Sequence, residues 1–88
     1  MNNSVSTPLK LEIISLNNIK KQHTIQCDNV LLPTKDGIKF IDINSREIVT
    51  DVVPGILKIN SANILEEVLL ENNGIAYWDS HQLTIIVH

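Results

Sequence analysis

Pro54–Gly55 stands between two arms of β-prone residues, Asp51–Val53 and Ile56–Ile59. Pro presets the φ of the second residue of a tight turn, and a following Gly accepts the positive φ that a side chain resists. Branched apolar residues flank the pair on both sides, so the two arms are predicted to fold back on each other as antiparallel strands. The sequence on either side reads as sheet leading in and sheet leading out.

Leu9, Leu11 and Ile13 alternate with Lys10 and Glu12, the period of two that marks a strand with one buried face. A turn is expected at Asn17–Asn18. His23, Ile25 and Cys27 then alternate with Gln22, Thr24 and Gln26, and the count breaks at Asp28–Asn29. Val30 and Leu32 resume it in the opposite parity, which predicts a bulge that keeps both stretches facing one core. Pro33 is expected to end that strand. Thr34–Lys35–Asp36–Gly37 carries Asp-Gly, the strongest short-range hairpin signal. Lys39, Ile41 and Ile43 then oppose Phe40 and Asp42. Asn44–Ser45–Arg46 reads as a polar loop, and Glu47–Val53 as a further strand.

Ile64–Glu71 is ambiguous. Ile64, Leu65, Val68 and Leu69 recur at helical spacing, Ser61 or Asn63 could cap a helix, and Gly74 could close it. Taken alone the segment reads as helix. As a strand it would point Val68 and Leu70 inward and Glu67, Leu69 and Glu71 outward, leaving Leu69 exposed or facing a partner. Ile75–Trp78 and Leu83–Val87, joined by Asp79–Ser80–His81–Gln82, predict a closing hairpin. Short strands at close spacing imply an all-β fold, a small flattened β-sandwich or barrel of mostly antiparallel strands. One domain is expected over residues 9–88, preceded by a frayed segment over 1–8.

Composition narrows the function. Phe40, Tyr77 and Trp78 are the aromatic residues, and the net charge is −3 with Lys20–Lys21 the one basic pair. That is poor equipment for stacking on bases or for an anionic surface, so nucleic-acid binding is not expected. Cys27 is alone, which forbids an internal disulfide and suits a reducing compartment. It reads as a small buried hydrophobe rather than a thiolate nucleophile. The sequence carries neither a signal-peptide run nor a membrane span, so a soluble domain is predicted that meets membranes through a partner. His23, His81 and His88 form no metal motif with each other, with Cys27 or with a carboxylate. Glu66–Glu67 is a solvated pair, and Asp36–Gly37 lacks a phosphate-binding context. No catalytic, cofactor or metal site is expected. Binding is left, with Trp78 read as core or hairpin packing and, alternatively, as an interface anchor.

The ordered set of segments resembles the amino-terminal β-sandwich of the epsilon subunit of F-type rotary ATP synthases. Leu9–Lys10–Leu11–Glu12–Ile13–Ile14 resembles the family's first strand, and Val30–Leu31–Leu32–Pro33–Thr34–Lys35–Asp36–Gly37 its Pro-Thr-x-x-Gly strand and loop. Ile48–Val49–Thr50 with Pro54–Gly55–Ile56–Leu57–Lys58–Ile59 resembles its Leu-Val-Thr and Pro-Gly-x-Leu-x-Ile segments. Asn73–Gly74–Ile75 and Leu83–Val87 stand where the family has a Gly-Gly-Phe-like turn and its last strand. This resemblance implies a strand, not a helix, over Ile64–Glu71.

The resemblance further implies a non-catalytic central-stalk subunit of a hetero-oligomeric rotary ATPase. It would bind the gamma subunit and couple it to the membrane rotor ring, the c-ring. It would then be a peripheral membrane protein on the cytoplasmic or organelle matrix side, without direct membrane insertion. Thr34, Lys35, Asp36, Gly37, Ile38 and Lys39 would form the loop that meets the ring; Phe40, Leu69 and Trp78 are candidates for the gamma face. The family's Gly-Ile-Leu-Pro-Asn-His-Ala-Pro-Leu is replaced by Phe40–Ile41–Asp42–Ile43–Asn44–Ser45–Arg46–Glu47–Ile48. This removes the Pro-flanked turn and its His, and Ile38–Lys39 stands where an acidic residue is usual. The chain ends before the helical pair that binds ATP or brakes rotation in some members, so neither property is expected. Two alternatives stand: an epsilon-like subunit of a repurposed F1-like ATPase lacking a proton-conducting ring, and a β-sandwich adaptor of an unrelated complex.

Overall fold

The structure, a computed structural model, describes residues 8–17 and 22–88, with the backbone alone at 22 and 23. The expectations of a frayed Met1–Thr7, of Asn18 in a turn, of the Lys20–Lys21 pair and of the His23 side chain fall outside the described residues. Nine strands follow in order: β1 (Leu9–Ser15), β2 (Gln22–Cys27), β3 (Asn29–Thr34), β4 (Gly37–Asp42), β5 (Ile48–Val52), β6 (Gly55–Ser61), β7 (Ile64–Leu70), β8 (Gly74–Trp78) and β9 (Gln82–Val87). They form one curled sheet in the order β2-β1-β9-β8-β5-β3-β6-β7, with β4 on β3. The β1–β9 pair is parallel and every other pair antiparallel. The all-β architecture is the one expected from the sequence.

Curling lets the alternate residues of every strand converge. Leu9 and Leu11, Val30 and Leu32, Leu57 and Ile59, and Leu83 and Ile85 are buried with at most 1% of their surface exposed. Cys27 and Val30 are both buried although three positions apart. The parity switch happens at Asp28, whose N–H donates to the Asn60 carbonyl at 2.8 Å as the chain leaves β1 and joins β6. The predicted break in the count is therefore where the chain turns from one half of the curl to the other.

Pro54–Gly55 is not the hairpin predicted. No pairing joins β5 to β6: β5 lies along β8 over five positions and β6 along β7 over seven. Both run antiparallel to β3, with Thr34 opposite Val52 and Leu31 opposite Lys58, so this side carries three more residues than β3 does over the same span. The pair is thus a corner in one bent strand that leaves the β8 side and enters the β7 side. Gly55 does not take a positive φ; Gly37 is the glycine in that region, at +107°. A Cβ at Gly55 would lie 3.1 Å from the Pro33 Cβ, so glycine serves close approach there. Pro fixes only its own φ, and each arm gains more from a long ladder elsewhere than from a short local one.

Pro33 does not end its strand either. It pairs with Ile38 inside β3–β4, and its carbonyl accepts the Val53 N–H at 3.2 Å. Its absent N–H faces the corner where the ladder skips, so no bond is lost.

Residues 64–70 are strand, as the resemblance implied and helical spacing did not. Of the residues read as N-terminal helix caps, Ser61 instead ends β6 and Asn63 lies in the β6–β7 turn, where Ala62 and Asn63 take φ of 50° and 67°. Two residues of positive φ make a type I′ loop, which matches the twist of a hairpin. A left-handed Ala costs about 1–2 kcal/mol. Tethers offset this: Ala62 N–H donates to Asp28 Oδ2 at 3.0 Å, and Ser61 Oγ to the Gln26 carbonyl at 2.9 Å.

Candidate interaction surface

Residues directly opposite in a ladder face the same side. That rule assembles the outer face of the β4-β3-β6-β7 half. One row runs Phe40, Leu31, Lys58, Glu67. A second holds Ile38 opposite Pro33 and Ile56 opposite Leu69. Ile38 is 73% exposed, Leu69 62% and Phe40 54%. The Lys58–Glu67 contact, at 4.0 Å and half-exposed, contributes at most about 1 kcal/mol. Exposed apolar side chains gathered on one outward face make it the candidate interaction surface of the molecule.

Of the three residues expected on a gamma face, the structure brings Phe40 and Leu69 to this one and removes Trp78. Trp78 is wholly buried, and its Nε1–H donates to the Ser45 carbonyl at 2.9 Å. Alternation explains the correction: Ala76 and Trp78 point inward from β8, while Ile75 and Tyr77 point outward. Tyr77 lies opposite Val49 and Ile75 opposite Ile86, which itself pairs with Ile14. The β5-β8-β9-β1 half therefore presents a second apolar outer face. The sequence reading missed Ile56, Val49 and Ile75; strand parity alone would have placed each outward.

The Thr34–Lys39 segment is a hairpin end, as predicted. Lys35–Asp36 forms the loop between the opposed Thr34 and Gly37. Thr34 Oγ1 accepts the Asp36 N–H at 3.2 Å and donates to the Gly37 carbonyl at 2.6 Å, so this buried hydroxyl holds the turn rather than facing outward. Lys35 Nζ meets Asp51 Oδ2 at 3.2 Å, tying the loop to β5. Ile38 is the apolar side chain left standing at this end.

The titratable groups have structural explanations. Burial, then the Asp28 carboxylate next to it, push the Cys27 thiol up from 9.0 to about 11. Native Cys27 is expected to resist a thiol reagent at pH 8 and to react once denaturant is added. Because its folded pKa is the higher one, its share of stability is complete below pH 9.0 and is lost as pH rises to about 11. Denaturant midpoints across that window check the sign. The Asp79 carboxylate is held below the usual range by the Gln82 and His81 N–H groups, which donate to Oδ1 at 2.8 and 2.9 Å. It caps the β8–β9 turn. Among the described residues no three His, Cys, Asp or Glu side chains group as a metal-binding set.

No family model and no curated protein matches this sequence. Solved structures do match in fold. A chain of the Euglena gracilis mitochondrial ATP synthase, from its OSCP/F1/c-ring assembly in rotational state 1, superposes with a TM-score of 0.80 at 13% identity. A chain of the Tetrahymena thermophila mitochondrial ATP synthase central stalk and c-ring gives 0.71 at 14%. The alignments cover 99% and 96% of this chain but 54% and 66% of those chains, so it spans about half to two thirds of their length. Over nearly all of its own length, this chain has the fold of a component of mitochondrial ATP synthase assemblies.

Proposed function

We propose that this chain is a non-catalytic rotor subunit in the central stalk of a rotary ATPase. It binds gamma through the outer face that carries Phe40 and Leu69 and meets the rotor ring through the Thr34–Lys39 end. The observation that carries the reading is the end-to-end likeness in fold to chains of ATP synthase stalk and ring assemblies. Two apolar outer faces and a projecting Ile38 suit a part held between neighbours. Close-packed cores are stiff, so such a block passes torque with little bending.

Co-expression with a gamma subunit from the same source should yield a stable one-to-one complex. A chain that stays monomeric and leaves ATP hydrolysis by the catalytic hexamer and gamma unchanged would overturn the proposal. Phe40→Asp and Leu69→Asp each remove an exposed apolar side chain, so each should hold stability within about 0.5 kcal/mol. Each should nonetheless weaken the gamma complex at least about tenfold, the scale of a hot-spot residue. Titration calorimetry alongside thermal melts separates the two effects.

One observation favours a second reading, an adaptor for an unrelated partner. β7 ends the strand order and, among the described residues, pairs with β6 alone. Native purification decides: the adaptor reading requires no gamma-like chain among the co-purifying proteins.

A further inference from the structure

The type I′ loop at Ala62–Asn63 fixes which backbone groups of β7 are used. In a two-residue hairpin the flanking pair, here Ser61 and Ile64, exchanges both of its hydrogen bonds. Counting along the strand, Ile64, Glu66, Val68 and Leu70 direct N–H and C=O toward β6. Leu65, Glu67 and Leu69 direct theirs toward the open edge. This strand of seven residues lacks Pro and Lys, and the charges on it are the carboxylates of Glu66 and Glu67. Beneath it lies a cleft of about 150 Å3 lined by Ile13, Ile25, Ile59, Glu66 and Val68. The tethers of Ser61 and Ala62 to Gln26 and Asp28 draw the two halves of the curl together at the start of β7.

Charge identifies the occupant. Glu66 and Glu67 on β7 and Glu71 just beyond it are all exposed, on a chain whose net charge is −3. A second copy pairing antiparallel would bring Glu66, Glu67 and Glu71 of both chains, six carboxylates, to one seam, and in the full-strand register would set Glu67 opposite Glu67. Like charges directly opposite are destabilising. We infer that the β7 edge accepts an extended segment of a different protein as an added strand, apolar on its inward side over the cleft and bearing Lys or Arg on its outward side. Backbone bonds to Leu65, Glu67 and Leu69 would supply affinity, and the acidic rim the choice of partner. The inference does not depend on the stalk reading: gamma co-expression tests that, and the isolated chain tests this.

The probe is the peptide acetyl-Lys-Val-Lys-Ile-Lys-Val-Lys-amide, titrated into the isotope-labelled full chain and followed by amide NMR. Saturable shifts confined to 64–70 and the cleft residues are expected. The analogue with Glu for every Lys should bind about tenfold more weakly, the combined effect of several cross-strand charge pairs. Of the two peptides N-methylated at alternate residues, one should lose binding and the other keep it. The Glu67→Lys, Glu71→Lys double variant, which changes the carboxylates of outward parity and leaves Glu66 at the cleft, should reverse the preference to the Glu peptide. No saturable shift at millimolar peptide, equal binding of both charge forms, or shifts centred on β4 overturns the inference. The comparison on the unaltered chain stands even where the double variant fails to fold.

Discussion

Gly74→Ala unfolds this domain at temperatures where the parent chain is folded. Gly74 opens β8 between two partners, Val52 on β5 and Val87 on β9. A Cβ at this position would overlap the Ile86 carbonyl oxygen and lie 2.9 Å from both the Cα and Cγ1 of Val87. Two of these three atoms are backbone, so no rotamer change relieves the contact. The β8–β9 ladder would have to part at one end of the core, beside Val87. Overpacking costs about 1–3 kcal/mol where side chains can adjust, and a backbone clash belongs at or above the top of that range. In a domain of this size about 3 kcal/mol lowers Tm by roughly 15 °C. Gly37→Ala is the control. Nothing lies within 4 Å of its Cβ, and the cost is only that of a side chain at φ +107°, about 1–2 kcal/mol. Thermal melts of the two variants should therefore differ by several degrees in that order. A Gly74→Ala melt within about 5 °C of the parent would mean that β8 and β9 do not approach this closely.

The alternating runs were readable because period-two burial is a local property. β1, β4, β8 and β9 each place the residues of one parity inward, as the spacing implied. Pairing was not readable in the same way. The arms around Pro54–Gly55 carry a turn signal and suitable residues, yet both are drawn to β3 and then apart, to β8 and β7. A turn dipeptide sets two dihedrals, whereas partner choice depends on the ladders that every other strand offers. For Ile64–Leu70 the local pattern pointed the wrong way. Ile64 and Leu65 occupy helical spacing but lie exposed at the start of an edge strand, where they serve no core at all. The likeness in ordered segments to a known sandwich corrected that error, since it carries pairing information that periodicity lacks.

The candidate surface was legible to a similar depth. Leu69 outward on β7 and Phe40 outward on β4 follow from parity within each strand. That they share one face follows only from the order β4-β3-β6-β7 and its registers. Residue type makes Trp78 a candidate for the gamma face, while its burial agrees with the other reading made of it, core packing. Its neighbour Tyr77 has the exposure that an anchor requires.

Trp78→Ala, accordingly, is expected to cost stability rather than binding alone. The indole is the largest of the wholly buried side chains, on a strand flanked by Ile48 and Leu83. Its N–H holds the Ser45 carbonyl, and Ser45 in turn bonds Asp42 through N–H and Oγ at 3.0 Å each. One side chain thus fills the core and fixes the loop from β4 to β5. Truncation to Ala removes about 3–5 kcal/mol, a large part of the roughly 5–15 kcal/mol that holds such a domain together. Trp78→Phe keeps most of the packing and forfeits the donor, for about 1–2 kcal/mol. As the sole tryptophan of the chain it also reports on itself. Native emission should be blue-shifted and shielded from iodide, and gamma should leave it unchanged. An interface anchor would behave in the opposite way: Trp78→Phe would keep its melting temperature and lose the complex, and emission would move on binding. Melting, quenching and complex formation measured on the same two variants therefore decide whether the aromatic at 78 belongs to the core or to the face.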